Sequence, residues 1–350
     1  LLLCLAIGQV LVAQTYTTIA GVSSGGSFTF DDPSNWLNGQ APPNPIPASA
    51  TVEIRHTIYM LPSLANWTNN GTIDVSNSGF FLVGNVLDNN GTIDIADNHF
   101  MHISQGTLNN KPGGIIQGWH LSLWNTATLN NEAGGMIEIK SSLNKTSQGS
   151  NVLNNAGTLI ITEGDFISRG QLTNSAGGLI EIRGTQFFFN SPFSNSGAVR
   201  LLNAARMSRG VSGAYTGLAG SSLEWVLSAS GSAGTDYPYV SYSIADPVAA
   251  FAQTTFIVSL ASGYEPAKGD QFNIFFGFPI PTNAISLPAL SNGNTWQNIS
   301  TSSQIIFEVP VPASPGAALA SNSSSQLVSV PDDASLDIEC QLSIELWCKP

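Results

Sequence analysis

Charge is scarce in this chain. Only 10% of its 350 residues are charged, and basic ones are the rarer: 11 Lys and Arg stand against 23 Asp and Glu, for a net charge of −12. Nucleic acid and anionic membrane both demand a basic patch, so neither is an expected partner. Cysteine is almost missing as well, with three in all. Cys4 lies in the apolar start, while Cys340 and Cys348 share one strand-like region. Extended chain between those two spans roughly 26 Å at about 3.3 Å per residue, beyond disulfide reach. They are expected to be free or paired with residues past position 350, so no disulfide staples the repeats. Long apolar runs are absent too. A membrane span needs about 20 apolar residues, and LLLCLAIGQVLVA at 1–13 is shorter. Ending on a small residue before Gln14, it reads as the remnant of a secretory signal peptide cut after Ala13. What remains is Asn, Ser, Thr and Gly among evenly spread hydrophobic residues (42%), which suits a β-rich extracellular protein and argues against disorder.

What the chain does have is repetition. Seven segments share one pattern: an apolar residue, one or two Asn, a Gly, then a short branched strand. They read WTNNGTIDV (67–75), LDNNGTIDI (87–95), LNNKPGGIIQG (108–118), LNNEAGGMIEI (129–139), LNNAGTLII (153–161), LTNSAGGLIEI (172–182) and FSNSGAVRLL (193–202). They recur every 19 to 24 residues. A period in that range marks a solenoid, here with parallel strands.

Residues two apart share a strand face, which assigns the columns. Ile73, Ile93, Ile116, Ile137, Leu159, Ile180 and Val199 form one inward column. Val75, Ile95, Gly118, Ile139, Ile161, Ile182 and Leu201 form the next. Between them Asp74, Asp94, Gln117, Glu138, Ile160, Glu181 and Arg200 point outward. Each buried Ile contributes roughly 1.5–3 kcal/mol, and a one-residue slip would expose the whole column, so the register is strongly specified. Stacked rungs also bring equivalent Asn side chains within amide hydrogen-bond reach. Asn and Gly tolerate the left-handed backbone of a tight corner, so Asn is expected to mark each corner. The same residues create glycosylation acceptor patterns at Asn66, Asn70, Asn90, Asn144, Asn298 and Asn322, a secondary reading where ladders already account for them.

The flanks differ. Residues 15–64, rich in Pro and carrying Trp36, are expected to cap the N-terminal edge of the solenoid, which would otherwise invite aggregation. The competing reading makes them a small recognition module anchored by Trp36. Residues 65–210 hold the seven repeats of about 21 residues, and 211–309 remain strand-like without the Asn period. There, GYEPAKGDQFNIF resembles a segment near the end of bacterial autotransporter-like and related surface β-solenoids. Its turn is Gly263, Pro266, Gly269 and Asp270. The resemblance implies an irregular β module closing the solenoid, and a secreted or surface protein of the adhesin type. A Pro/Ala/Ser linker follows at 310–325. Residues 326–350 resemble the opening of a laminin-G-like or concanavalin-like jelly roll through Leu327–Val330, Pro331–Ser335, Leu336 and the strand carrying Glu345 and Trp347. They depart from that pattern at Ser321–Asn322 and at both cysteines. Such domains bind glycans or Ca²⁺, which the resemblance implies for the part beyond residue 350, and no site residue carries over. The fold class expected is therefore all-β: a right-handed parallel β-helix (solenoid) with an irregular β cap, then the first strands of a truncated jelly roll.

Chemistry is sparse. Asp74 and Asp94 stack about one rung apart, where Ca²⁺ could relieve their repulsion, yet Gln117 and Ile160 break the column, so a solvated polar face is favoured. Glu138/Lys140, Glu181/Arg183 and Glu163/Asp165/Arg169 could be read as a polysaccharide lyase site, but charges two apart on one strand behave as surface ion pairs. His99 and His102 lie three apart and face opposite ways; His56 and His120 are isolated. No catalytic residue, metal ligand or cofactor is expected. The aromatic residues are more informative. Eight positions after the first core column come Phe81, Met101, Trp124, Lys145, Ile167, Phe188 and Met207. Beside them run Phe80, Phe100, Leu123, Asn144, Phe166, Phe187 and Arg206. One of the two columns should be exposed, which makes Phe80, Phe100 and Phe187 candidate carbohydrate-binding residues. A corner or bulge that turns both columns inward, or a cover from 211–309, would remove that site.

Together these readings describe a monomeric, non-enzymatic, secreted or surface-displayed stalk that holds a glycan-binding jelly roll toward an extracellular glycan or host surface. The alternatives are a carbohydrate-active enzyme (lyase or glycosidase) and a glycan-binding solenoid. Three acids with a Lys or Arg converging in a groove would favour the enzyme.

Overall fold

The computed structural model describes residues 13–19, 29–61, 66–77, 79–145, 150–242, 250–277, 285–291, 294–300 and 304–311. The chain divides into two units, Leu1–Pro310 and Val311–Pro350. The jelly-roll reading, Cys340 and Cys348 fall outside the described residues, as do Cys4 and nearly all of the signal segment.

Leu1–Pro310 holds a parallel β-solenoid of about eight turns. Each turn has three faces. The first carries strands such as Thr72–Val75, Thr158–Ile161 and Ala198–Leu201. The second carries Gly79–Val83, Asp165–Ser168 and Gln186–Phe189. In three consecutive turns one strand bends across both faces: Thr92–Ser104, Ile115–Trp124 and Met136–Lys145. The third face is a sheet of eight strands, from Trp67–Asn69 to Ala214–Gly217.

On the first face the expected register holds residue for residue. Ile73 pairs with Ile93, Ile93 with Ile116, and so on through Val199, while Asp74 pairs with Asp94 and Glu181 with Arg200. Every residue of the first inward column is fully buried. The stacking also runs past the seven repeats. Thr51–Ile54 pairs with Thr72–Val75 above it, and Ser222–Leu227 and Thr255–Leu260 continue above Ala198–Leu201. The parallel ladder ends where Gln304–Glu308 pairs antiparallel with Gln271–Phe276. Trp36 is buried, donates its indole N–H to the Phe30 carbonyl at 3.0 Å and packs edge-on against the Phe30 ring. It is a core residue, not an exposed anchor.

The third face explains the Asn signature. Its strands place a large apolar residue and an Asn inward together, as in Leu129 and Asn131. Seven buried amides then run along the axis as one hydrogen-bonded ladder: Asn69, Asn89, Asn110, Asn131, Asn155, Asn174 and Asn195, each donating to the next at 2.8–2.9 Å. Asn195 continues the ladder to the Tyr215 hydroxyl at 3.0 Å. The second amide hydrogens serve backbone carbonyls of the following turn, such as Thr158 for Asn131 at 3.0 Å. A half-exposed companion ladder joins Asp88, Asn109, Asn130 and Asn154.

These ladder asparagines are strand residues, which corrects the expectation that they adopt left-handed backbone. Left-handed asparagines do occur, at Asn98, Asn125 and Asn203, away from the ladder. The corner after the ladder Asn comes in two lengths. Asn69 to Ile73 takes four residues; Asn110 to Ile116 takes six. The longer corners add two residues, and there Gly113, Gly134 and Gly177 supply φ near +80°. The two spellings of the repeat, N-x-G and N-x-x-G-G, are therefore two corner geometries around one ladder.

Candidate functional site

The outward rows of the solenoid offer three places for chemistry. The first is the second face, where the candidate aromatic column needs correction. Register runs Ile58, Phe80, Met101, Leu121, Leu143, Phe166, Phe187, Met207, and all of these are buried. Phe80 and Phe187 therefore belong to the core and are closed to a ligand. Phe100 lies in a different row, opposite Gly79 and His120. The three rings do not form one stripe. The reason is the corner between the first two faces, whose length varies. Ile116 to Leu121 spans five residues, whereas Ile93 to Met101 spans eight. A constant offset of eight cannot follow it. In the longest repeat, residues 146–149 lie outside the described residues.

The structure instead gathers a different aromatic group on the outside of the early turns. Tyr59 stacks on Phe81 with ring centres 4.7 Å apart. Phe81 meets Phe100 and His102 edge-on at 5.6 and 5.0 Å. His102 lies 4.7 Å from Trp124, which is 41% exposed. Tyr59, Phe81, Phe100 and His102 are half-buried. In the sequence Phe81 and Trp124 stand in the column beside the candidate residues, and no period marks His102 as their neighbour.

His102 sits in this cluster as a neutral ring. Burial, with His120 nearby, pushes its pKa down from 6.5 to about 4. The folded value lies below the unfolded one, so this contribution to stability is complete above about pH 6.5 and is lost as pH falls toward 4. Asp74 acts in the opposite sense. Burial, then the stacked Asp94 and Glu53, raise its pKa, so stability rises as falling pH protonates it. His102→Phe should therefore remove a loss of stability between neutral pH and about pH 4.5 while keeping the ring contacts. Urea midpoints at the two pH values provide the check; a variant as acid-sensitive as the parent would refute it.

The second place is an acidic groove. Asp94, Asp97, Glu138 and Lys140 line an open hollow of about 390 Å³, together with Gly118. Lys140 is ion-paired with Asp97 at 3.2 Å, and both are largely exposed. Among the described residues no three acidic, His or Cys side chains are placed to hold a metal ion. Glu138 and Lys140 share the groove, whereas Glu181 and Arg183 form a separate ion pair. Arg200 joins Glu181 to Glu224, at 3.4 and 2.7 Å, so this row is a network along the axis. Asp165 accepts from the Thr185 hydroxyl at 3.0 Å and makes no ion pair with Arg169.

The third place lies on later turns of the second face. Gln186, Phe188, Arg206, Ser208, Arg209 and Ser241 border a hollow of about 300 Å³. Phe188 and Arg206 stood in the two aromatic columns of the sequence. Arg209 belongs to neither column.

Three parallel faces, a ladder of buried amides and continuous apolar columns define the chain as a parallel β-solenoid repeat protein. No protein-family model matches it, and no curated protein matches it either. No helix among the described residues is long and apolar enough to cross a membrane.

Proposed function

We propose that this chain is a non-enzymatic, secreted or surface-displayed structural protein of the adhesin type, in which the solenoid is a rigid spacer for a recognition module. One observation carries the reading: the repeat conserves its energy of folding in register-setting features, an unbroken amide ladder and two apolar columns, over seven consecutive turns. Stacked turns at about 4.8 Å convert added repeats directly into length. The apolar 1–13 segment supports export, and the resemblance of 326–350 to jelly-roll domains supports a module downstream.

A carbohydrate-active enzyme is the second reading, and it too has an observation behind it. Three acids and a lysine do converge in the groove around Glu138. Against it, Asp97 already neutralises Lys140, so no free cation faces a substrate there. Incubating the protein with a panel of neutral and acidic polysaccharides separates the two readings. No new reducing or unsaturated ends are expected. Product release that disappears in Glu138→Gln would overturn the scaffold reading.

A further inference from the structure

Arginine is distributed unevenly along this acidic chain. Five of its six arginines fall between positions 169 and 209, and residues 182–223 contain four arginines and no acid. Two of those four are neutralised: Arg183 by Glu181, and Arg200 by Glu181 and Glu224. Arg206 and Arg209 have no carboxylate partner among the described residues. The nearest acid in their row is Asp165, two rungs away along Asp165–Gln186–Arg206 and about 10 Å distant at the strand spacing. Its carboxylate takes the Thr185 hydroxyl.

The two guanidiniums are held differently. Arg209 lies 5.7 Å from the centre of the buried Tyr242 ring and donates to the Gly213 carbonyl at 2.7 Å, so it is fixed by the fold. Arg206 is exposed and rests 5.6 Å over the Tyr239 ring. Stacking of this kind orients a guanidinium and leaves its N–H edge free to donate. Both border the hollow of about 300 Å³, at the small end of the range for ligand sites. Ser208, Ser241 and Gln186 add neutral hydrogen-bonding groups, with Gln186 already donating to Ser208 at 3.2 Å. Phe188 supplies an outward, half-buried ring. Unlike Tyr59, Phe81 and His102, it contacts no other ring among the described residues, and it borders the hollow.

We propose that this hollow binds a carboxylated pyranose, a uronic-acid unit of an acidic polysaccharide. The carboxylate sits on the Arg206 guanidinium, whose fork matches two carboxylate oxygens. The apolar face of the sugar ring lies on Phe188, and the hydroxyls meet Ser208, Ser241 and Gln186. Arg209 adds positive potential from a fixed position. This goes beyond the scaffold reading and does not depend on it, because a spacer needs no ligand on its flank.

Calorimetric titration of the whole chain with a homo-oligouronate, the carboxyl-reduced neutral oligosaccharide and poly-glutamate tests the assignment. The oligouronate is expected to bind, and to weaken with added salt. Arg206→Gln and Phe188→Ser should each lower that affinity by about tenfold or more, the loss of one charge-assisted bond or one ring contact. Arg206 is exposed, so Arg206→Gln should leave the unfolding midpoint in place, and its midpoint is read alongside. Four results would each overturn the proposal: no binding of the oligouronate, equal binding of the neutral sugar, equal binding of poly-glutamate, or full affinity in a folded Arg206→Gln protein.

Discussion

Asn131→Leu is expected to destabilise the solenoid by about 3–5 kcal/mol, the largest effect of any single polar substitution in the repeats. The side chain is 2% exposed and stands in the middle of the amide ladder. It accepts from Asn110 at 2.9 Å and donates to both Asn155 at 2.8 Å and the Thr158 carbonyl at 3.0 Å. Leucine fits the space roughly but offers neither donor nor acceptor. The Asn155 carbonyl oxygen then loses its ladder donor inside the core, which costs about 1–3 kcal/mol, on top of the net 0.5–1.5 kcal/mol of each bond removed. Asn110 is less affected, because its amide also donates to Gly114 and Met136. The ladder has a direction, and its last member differs from its middle. At Asn195 the next acceptor is the Tyr215 hydroxyl, which is also within 3.2 Å of Thr254. Asn195→Leu orphans no amide oxygen but leaves the buried Gly197 N–H, which donates to the Asn195 amide oxygen at 3.2 Å, without an acceptor. Its loss should therefore be comparable to that at Asn131. Guanidinium unfolding followed by circular dichroism measures both; a loss below about 1 kcal/mol at either position would show that the ladder does not support the fold.

Gly118→Ile should destabilise by about 2–5 kcal/mol, although the repeat pattern alone argues the reverse. Its column otherwise reads Val75, Ile95, Ile139, Ile161, Ile182 and Leu201, so isoleucine looks like the missing core residue. Gly118 has φ +130°, a conformation that a β-branched residue resists, and a Cβ there would run into the backbone of Ile95 in the turn below. The strain is of order 1–3 kcal/mol and the overpacking about as much. The register of the strand shifts between Gly118 and His120, where Trp119 alone stands against the four residues 96–99 of the turn below and the two residues 140–141 of the turn above. Gly118 thus also sets how His120 and Trp124 are presented. The unfolding midpoint should fall, and tryptophan fluorescence should change with it. Gly118→Ala, with strain but less volume, should fall between parent and Gly118→Ile. A gain in stability for Gly118→Ile would show that the tight corner at Gly118 is not required.

Both arguments show where the repeat can be read from sequence and where it cannot. On the first face, Ile73, Asp74 and Val75 recur with strict alternation and a fixed distance from the Gly, so columns and register are legible. The buried amide ladder is legible for the same reason, since its Asn stands at one place before each corner. The second face is not legible by period. Between Ile116 and Leu121 the corner takes five residues, and between Ile93 and Met101 eight, so the inward partner of Phe80 is Met101 and not Phe100. Apolar residues on both sides of these strands hide the change, because Phe80 and Phe81, or Phe187 and Phe188, are interchangeable in a pattern of apolar and polar letters.

The sequence by itself determined the architecture: parallel turns of about 20 residues, an Ile-rich face, an Asn at each turn, few charges and no disulfide within the repeats. Those features act between identical positions one rung apart, so periodicity alone reports them. Only the tertiary structure decided which aromatic rings face out, that the ladder asparagines keep extended backbone, and that Arg206 and Phe188 border one hollow. Those outcomes depend on corner length and on neighbours some 20 residues away in another turn, where a single added residue reverses the side of the sheet that a side chain occupies.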